Sequence, residues 1–147
     1  MEIHKIIEAV RDFDGALAVV PEGEPYPELA WGDAFFYFAP DGVMPERTQP
    51  YGTIVTKDYP DDTAFSLGSD RFRVNIHVGR DSAARVTDAD ASPGDTDRML
   101  AHPLYGEMGW VCVVNPAEHT GDLVLALLRE AHEAARERML RRARRAG

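Results

Sequence analysis

Residues 71–78, Arg-Phe-Arg-Val-Asn-Ile-His-Val, carry two guanidiniums, an amide and an imidazole at a two-residue spacing. Arg71, Arg73, Asn75 and His77 share one side of that period, and Phe72, Val74, Ile76 and Val78 share the other. This is the alternation of a half-buried strand. Ordinary polar residues would suffice to face water. This set offers positive charge and directed hydrogen bonds instead, so the face suits a polar or anionic ligand. Acidic loops of the same chain are the competing cover, and an Asp33–Arg73 ion pair would make the constellation structural. A second grouping lies in His102-Pro103-Leu104-Tyr105-Gly106-Glu107-Met108-Gly109-Trp110. It gathers an imidazole, a phenol, a carboxylate and an indole in a glycine-flanked loop. Such groups line pockets, and they also close cores with the Tyr and Trp polar atoms bonded locally. The third is Lys57-Asp58 at a strand end. There an amine and a carboxylate can position a polar ligand or share a proton, or Asp58 can simply cap a surface turn. The ligand-binding candidates are therefore Arg73, Asn75, His77, His102, Tyr105 and Lys57. No residue is assigned a catalytic role. A fold of the His102 to Tyr105 loop over the 71–78 strand would complete the site.

Other chemistries lack their signatures. His4, His77, His102, His119 and His132 include no helical i, i+4 pair, and the single Cys112 offers no thiolate set. Asp58, Asp61 and Asp62 lack the spacing and the bidentate Glu of a calcium loop. There is no P-loop, dinucleotide fingerprint or nucleophile elbow. No metal and no cofactor is expected.

The elements that must position these groups follow from periodicity. Ile3, Ile6, Ile7 and Val10 form one apolar stripe, so residues 2–13 read as a helix stopped at Asp14-Gly15. Strands are expected at 16–20, 34–39, 51–56, 71–78 and 109–114. A short helix is expected at 79–86, and another can open in the acidic turn 57–63. Residues 87–97, rich in Asp, Ala, Ser, Pro and Gly, read as a mobile loop. Residues 121 to about 142 read as a long helix, with Thr120 as its N-cap. Trp31 and Trp110 are expected to be buried, and Cys112 is expected as a small core hydrophobe. With no repeating βαβ unit, the chain reads as a single α+β domain over 1–147. It has a mainly antiparallel sheet of about five strands, helices on one side, and a basic helical tail over 136–147.

The formal net charge is −9, with 44% apolar and 28% charged residues. Residues 136–147 hold six arginines and one glutamate, a net of +5, so the other 135 residues carry −14. Such a body repels a phosphate backbone, which disfavours nucleic-acid binding. The tail reads as a solvated helix end, where cations offset the helix dipole. No apolar run approaches a membrane span and the first residues do not resemble a signal peptide, so the chain is expected in the cytoplasm with no membrane partner.

The blocks Trp31-Gly32-Asp33-Ala34-Phe35-Phe36-Tyr37, Thr53-Ile54-Val55-Thr56-Lys57-Asp58-Tyr59-Pro60, Phe72-Arg73-Val74-Asn75-Ile76 and His102-Pro103-Leu104-Tyr105-Gly106 resemble a family of small uncharacterised bacterial proteins. That family is a domain of unknown function, so the resemblance implies no activity. In element order the chain is also distantly similar to the YjbR/MmcQ family, with Trp110-Val111-Cys112-Val113 as the late strand. That family's Asn-Lys-x-x-Trp signature is replaced here by Gly106-Glu107-Met108-Gly109-Trp110. The likeness implies a related fold often described as DNA-binding-like. The leading expectation is a domain that binds a small polar molecule or a protein partner without chemistry. The alternative is a small enzyme of specialised metabolism using His, Tyr or Lys as acid and base.

Overall fold

The computed structural model describes residues 1–60, 65, 67, 68 and 70–146. The Ile3-to-Val10 stripe forms helix α1 (Ile3–Arg11), with Ile6, Ile7 and Val10 buried. Gly15 follows at φ +75°, and a Cβ there would lie 2.6 Å from the Phe38 ring, so only glycine fits this approach. Strands β1 (Ala16–Val19), β2 (Ala34–Phe38), β3 (Gly52–Val55) and β4 (Arg73–His77) come next. Then come α2 (Arg80–Val86), β5 (Leu100–Ala101), β6 (Trp110–Val114) and α3 (Gly121–Ala146). Among the described residues the six strands form one sheet in the order β1-β2-β3-β4-β6-β5, with every pair antiparallel. The strand beyond the expected five is β5, two residues too short to show a period. The short helix expected from the 57–63 turn runs into residues outside those described, as do Asp61 and Asp62.

Alternation assigns the two faces of the sheet. Phe36, Ile54, Val74, Ile76, Val111 and Val113 point to one side. There they pack with Ile6 and Val10 of α1, Ala83 of α2, and Val124, Leu127, Leu128 and Ala131 of α3. Among the described residues no α-helix packs on the opposite face. At one end of that face Phe65 and Leu67 cover Leu100, Cys112 and Val114. The remainder carries the polar side of β4. β4 lies between β3 and β6, so Arg73 and Asn75 are buried although they face away from the helices.

Residues 87–97, expected as a mobile loop, carry internal hydrogen bonds. Arg98 bridges Asp88 and Asp95, and the Ser92 N–H donates to Asp95 at 2.9 Å. The aspartates of this segment cap backbone groups and do not merely solvate it. Trp31 is not buried: it is 37% exposed and donates Nε1–H to the Tyr26 carbonyl at 3.1 Å. Trp110 is half-buried. Trp31 precedes β2, so the period that buries Phe36 does not reach it.

Asp97 anchors the start of α3. It has a left-handed backbone, φ 57°. Its carboxylate accepts from the N–H groups of Ala117, His119 and Thr120 and from the Thr120 hydroxyl, at 2.6 to 2.9 Å. Thr120 therefore donates to Asp97 with the hydroxyl expected to cap the helix. Desolvation is the largest single influence on the Asp97 carboxyl and pushes its pKa up. The four hydrogen bonds together outweigh it and hold the pKa at about 2, against an ordinary 3.8. A folded-state pKa below the unfolded one stabilises the fold above the unfolded value, and that stabilisation fades as pH falls through the folded value. Asp97→Ala is thus expected to cost about 1 kcal/mol at neutral pH, solvent screening having been allowed for. In urea titrations the gap between variant and parent should stay constant above about pH 5 and narrow between about pH 4 and pH 2, down to the strain of alanine in a left-handed backbone. A gap that does not change with pH would reject the assignment.

Candidate functional site

The face of the sheet opposite α1 and α3 holds a concavity of about 380 Å³. Its floor is built by register: Thr53 of β3 stands opposite Asn75 of β4, and Val55 opposite Arg73. Residues 102–108 form one wall, bringing His102, Leu104, Tyr105 and Met108 to the floor, with Trp110 of β6 beside them. Phe35 and Tyr59 close the other side. Gly109 makes this wall feasible. At φ +91°, its α-carbon lies so close to Gly79 that a Cβ would fall 2.5 Å from the Gly79 carbonyl carbon. The Gly109 carbonyl accepts from the N–H groups of Val78 and Gly79 at 2.9 and 3.1 Å, pinning the loop to the end of β4.

The floor contains a polar atom without a bond. Asn75 is 6% exposed, and its Nδ2 donates to the Thr53 hydroxyl at 2.9 Å. Its Oδ1 is buried and accepts no hydrogen bond from any described residue. A buried acceptor left in this state costs roughly 1–3 kcal/mol. Beside it the Arg73 guanidinium lies 4.2 Å from the centre of the Phe65 ring.

His102 is 5% exposed, and its Nδ1 accepts from the N–H groups of Leu104 and Tyr105 at 3.1 and 3.2 Å. Two backbone donors at Nδ1 place the ring proton on Nε2. Its ring lies 4.9 Å from that of Tyr105. Around the mouth Leu104, Tyr105 and Met108 are 45% to 61% exposed, an unusual concentration of large apolar surface.

Four of the six residues selected from sequence therefore line one cavity: Arg73, Asn75, His102 and Tyr105. The other two lie outside it. His77 stands at the end of β4, bonds the Met108 carbonyl through Nε2 at 3.0 Å, and lies 5.4 Å from the Trp110 ring. It faces a second cleft that wraps around the end of the sheet. Lys57 donates to the carbonyls of Leu29 and Trp31 at 2.8 and 2.7 Å and approaches Asp33 at 3.5 Å. It thereby ties the segment before β2 to the end of β3.

Asp33 does not pair with Arg73. It is fully buried, and Oδ1 accepts from the Thr56 N–H and hydroxyl at 2.8 and 2.6 Å. Oδ2 accepts from the Tyr59 hydroxyl at 2.5 Å. Burial first, and then the bond to Asp33, push the Tyr59 phenol well above its ordinary pKa; Arg73 opposes this. Tyr59 therefore stays protonated and connects the Asp33 cluster to the cavity wall. Asp58 uses its carboxylate on the Leu67 N–H at 3.2 Å, a local cap.

Thr53, Phe35 and Tyr59 escaped the sequence reading. Thr53 and Phe35 carried a signal, since they alternate with Ile54 and Phe36 to the outer side of β3 and β2. Tyr59 follows β3 in a turn, where no period assigns a direction. Among the described residues, no three His, Cys, Asp or Glu side chains gather as a metal-binding set, and no helix is long and apolar enough to cross a membrane.

Nothing among curated proteins and nothing among solved structures matches this chain. The family comparison is positive over almost the whole length. With its model matching residues 1–144, the chain belongs to DUF6194, a family of unknown function.

Proposed function

We propose that the protein is a cytoplasmic binding domain that holds a small polar molecule on the face of the sheet opposite α1 and α3. The observation that carries this reading is the Asn75 amide. It is buried in the floor of a concavity, it is held by Thr53, and its Oδ1 accepts from no described residue. A ligand N–H or O–H at that position would satisfy it. The aromatic and thioether walls then suit a flat or apolar body. The volume is within the ordinary range for small-molecule sites, about 300–1,000 Å³. The order helix, sheet, Trp-bearing strand and closing helix also supports the likeness to the YjbR/MmcQ family in fold.

The enzyme reading has less geometry behind it. Nδ1 of His102 accepts from two backbone N–H groups and Nζ of Lys57 donates to backbone carbonyls, while His77, whose Nε2–H donates to the Met108 carbonyl, does not line this cavity. A base must instead present its lone pair to the substrate.

A thermal-shift screen of metabolites tests the proposal, since a ligand that binds only the folded state raises its apparent stability. Asn75→Leu is expected to leave the unliganded protein as stable as the parent, or more stable by about 1 kcal/mol, because it removes a buried acceptor without a partner. The same change should abolish the shift caused by any compound found. A variant that unfolds more easily than the parent, or that binds the compound normally, would show the amide to be scaffold.

Nucleic acid is not the expected ligand. Anisotropy of a short labelled duplex is expected to show no saturable binding at physiological salt, because the −14 body opposes the basic tail. Tight binding that collapses with added salt would reverse this.

A further inference from the structure

The cleft around the end of the sheet collects positive charge in a protein that is otherwise acidic. It holds about 230 Å³. Arg47 from the loop before β3 and Arg138 and Arg142 from α3 line it, together with His77. Arg138 and Arg142 are one helical turn apart, so they share a face. Arg47 has a left-handed backbone, φ 56°, uncommon for a residue with a side chain. Among the described residues none of the three guanidiniums has a carboxylate within 4.0 Å or any side-chain hydrogen bond. The nearest acid along the helix, Glu137, pairs with Arg136 instead. Burial first, then Arg142 and Arg141, pull the half-buried Arg138 guanidinium below its usual pKa range. Arginine does not give up its proton, so this records an uncompensated charge. A chain with 25 acidic side chains has ample means of neutralising three arginines, and here it does not.

We propose that this cleft is a second binding site, one that takes the phosphate group of a small phosphorylated molecule. Guanidinium forks lining one cleft match phosphate oxygens and suit a dianion better than a single carboxylate. The rest of the cleft wall mixes the aromatic Tyr37, Phe38, Tyr51 and Trp110 with aliphatic and polar residues. The volume exceeds that of the anion alone, so an organic body enters with it. Gln49, Pro50 and Trp110 line both this cleft and the sheet-face cavity, which places the two side by side. The proposal does not depend on the sheet-face reading, because it uses other residues and another charge.

The test titrates sodium phosphate and sodium pyrophosphate into the full chain, followed by amide and indole N–H shifts in ¹H–¹⁵N spectra. Saturable shifts are expected at Arg47, His77, Trp110 and residues 138–142, tighter for pyrophosphate, and none with sodium chloride at matched ionic strength. The double variant Arg138→Gln/Arg142→Gln should weaken binding about tenfold or more. The control Arg144→Gln/Arg145→Gln removes the same charge from the same helix and should stay within about twofold of the parent. Glutamine keeps helix propensity, and Arg47→Gln probes the cleft from a loop without touching α3. Asn75→Leu should leave phosphate binding intact, so failure at one site is separable from failure at the other. Equal losses in the two double variants, or shifts that never saturate, would reduce the cleft to a diffuse field and overturn the proposal.

Discussion

Replacing Asp33 with alanine is expected to destabilise the protein by about 3–5 kcal/mol, the scale for breaking a buried charged network by removing one partner. Its carboxylate is fully buried and takes the Thr56 N–H, the Thr56 hydroxyl and the Tyr59 hydroxyl, with Lys57 at 3.5 Å. Alanine would leave these donors without an acceptor where water does not replace it. Asp33→Asn should cost far less, because the amide oxygen still serves Thr56 and the Tyr59 hydroxyl can turn to accept. Lys57→Ala should fall between the two. Its ammonium is about one-third exposed, which screens the ion pair, but it also holds the Leu29 and Trp31 carbonyls. Urea unfolding of the three variants checks the order. If alanine and asparagine prove equal, the hydrogen-bond account is wrong and only the charge matters.

His132→Ala should cost a similar amount, about 3–5 kcal/mol, as large-to-small changes in a core do. The imidazole is 2% exposed, with Phe13, Phe38 and Tyr51 rings at 5.3, 5.4 and 5.5 Å. Its Nε2 is 2.7 Å from the Asp14 carbonyl, which can only accept, so Nε2 carries the proton. Nδ1 then accepts from the Tyr51 hydroxyl at 3.0 Å. Truncation opens a cavity and leaves both partners buried without a bond. His132→Phe refills the volume and should recover part of the loss but not the hydrogen-bond share. A phenylalanine variant as stable as the parent would show that packing alone explains the position. This contact also locates α3 against β3, and so carries Arg138 and Arg142 over the end of the sheet. The alanine variant is therefore expected to lose phosphate binding even under conditions where it remains folded.

The elements of this fold were legible in the sequence because each is written in a local period. The 3.6-residue stripe from Ile3 to Val10 and the two-residue alternation from Phe72 to Val78 need no distant contact to be recognised. The same alternation established that Arg73 and Asn75 share a face, since a strand's pleat decides that before the sheet forms. Loop 102–109 was legible as pocket-forming chemistry, but whether it closed a core or lined a cavity depended on where Gly109 meets Gly79. Composition did not show that the aspartates of residues 87–97 cap backbone groups, because aspartates that solvate a free loop and aspartates that cap a folded one look alike. Nor did the position of Lys57 at a strand end show that its amine donates to two carbonyls some 26 to 28 residues earlier in the chain. The arginines of the tail read as a solvated helix end, which is what their local surroundings imply. Only the tertiary structure brings Arg138 and Arg142 to Arg47, across more than 90 residues of chain, because the docking of α3 through His132 and Leu128 decides which turn of the helix overhangs the sheet. Sequence by itself determined which groups each element presents. The register between elements, a sum of contacts far apart in the chain, decided which of those groups meet.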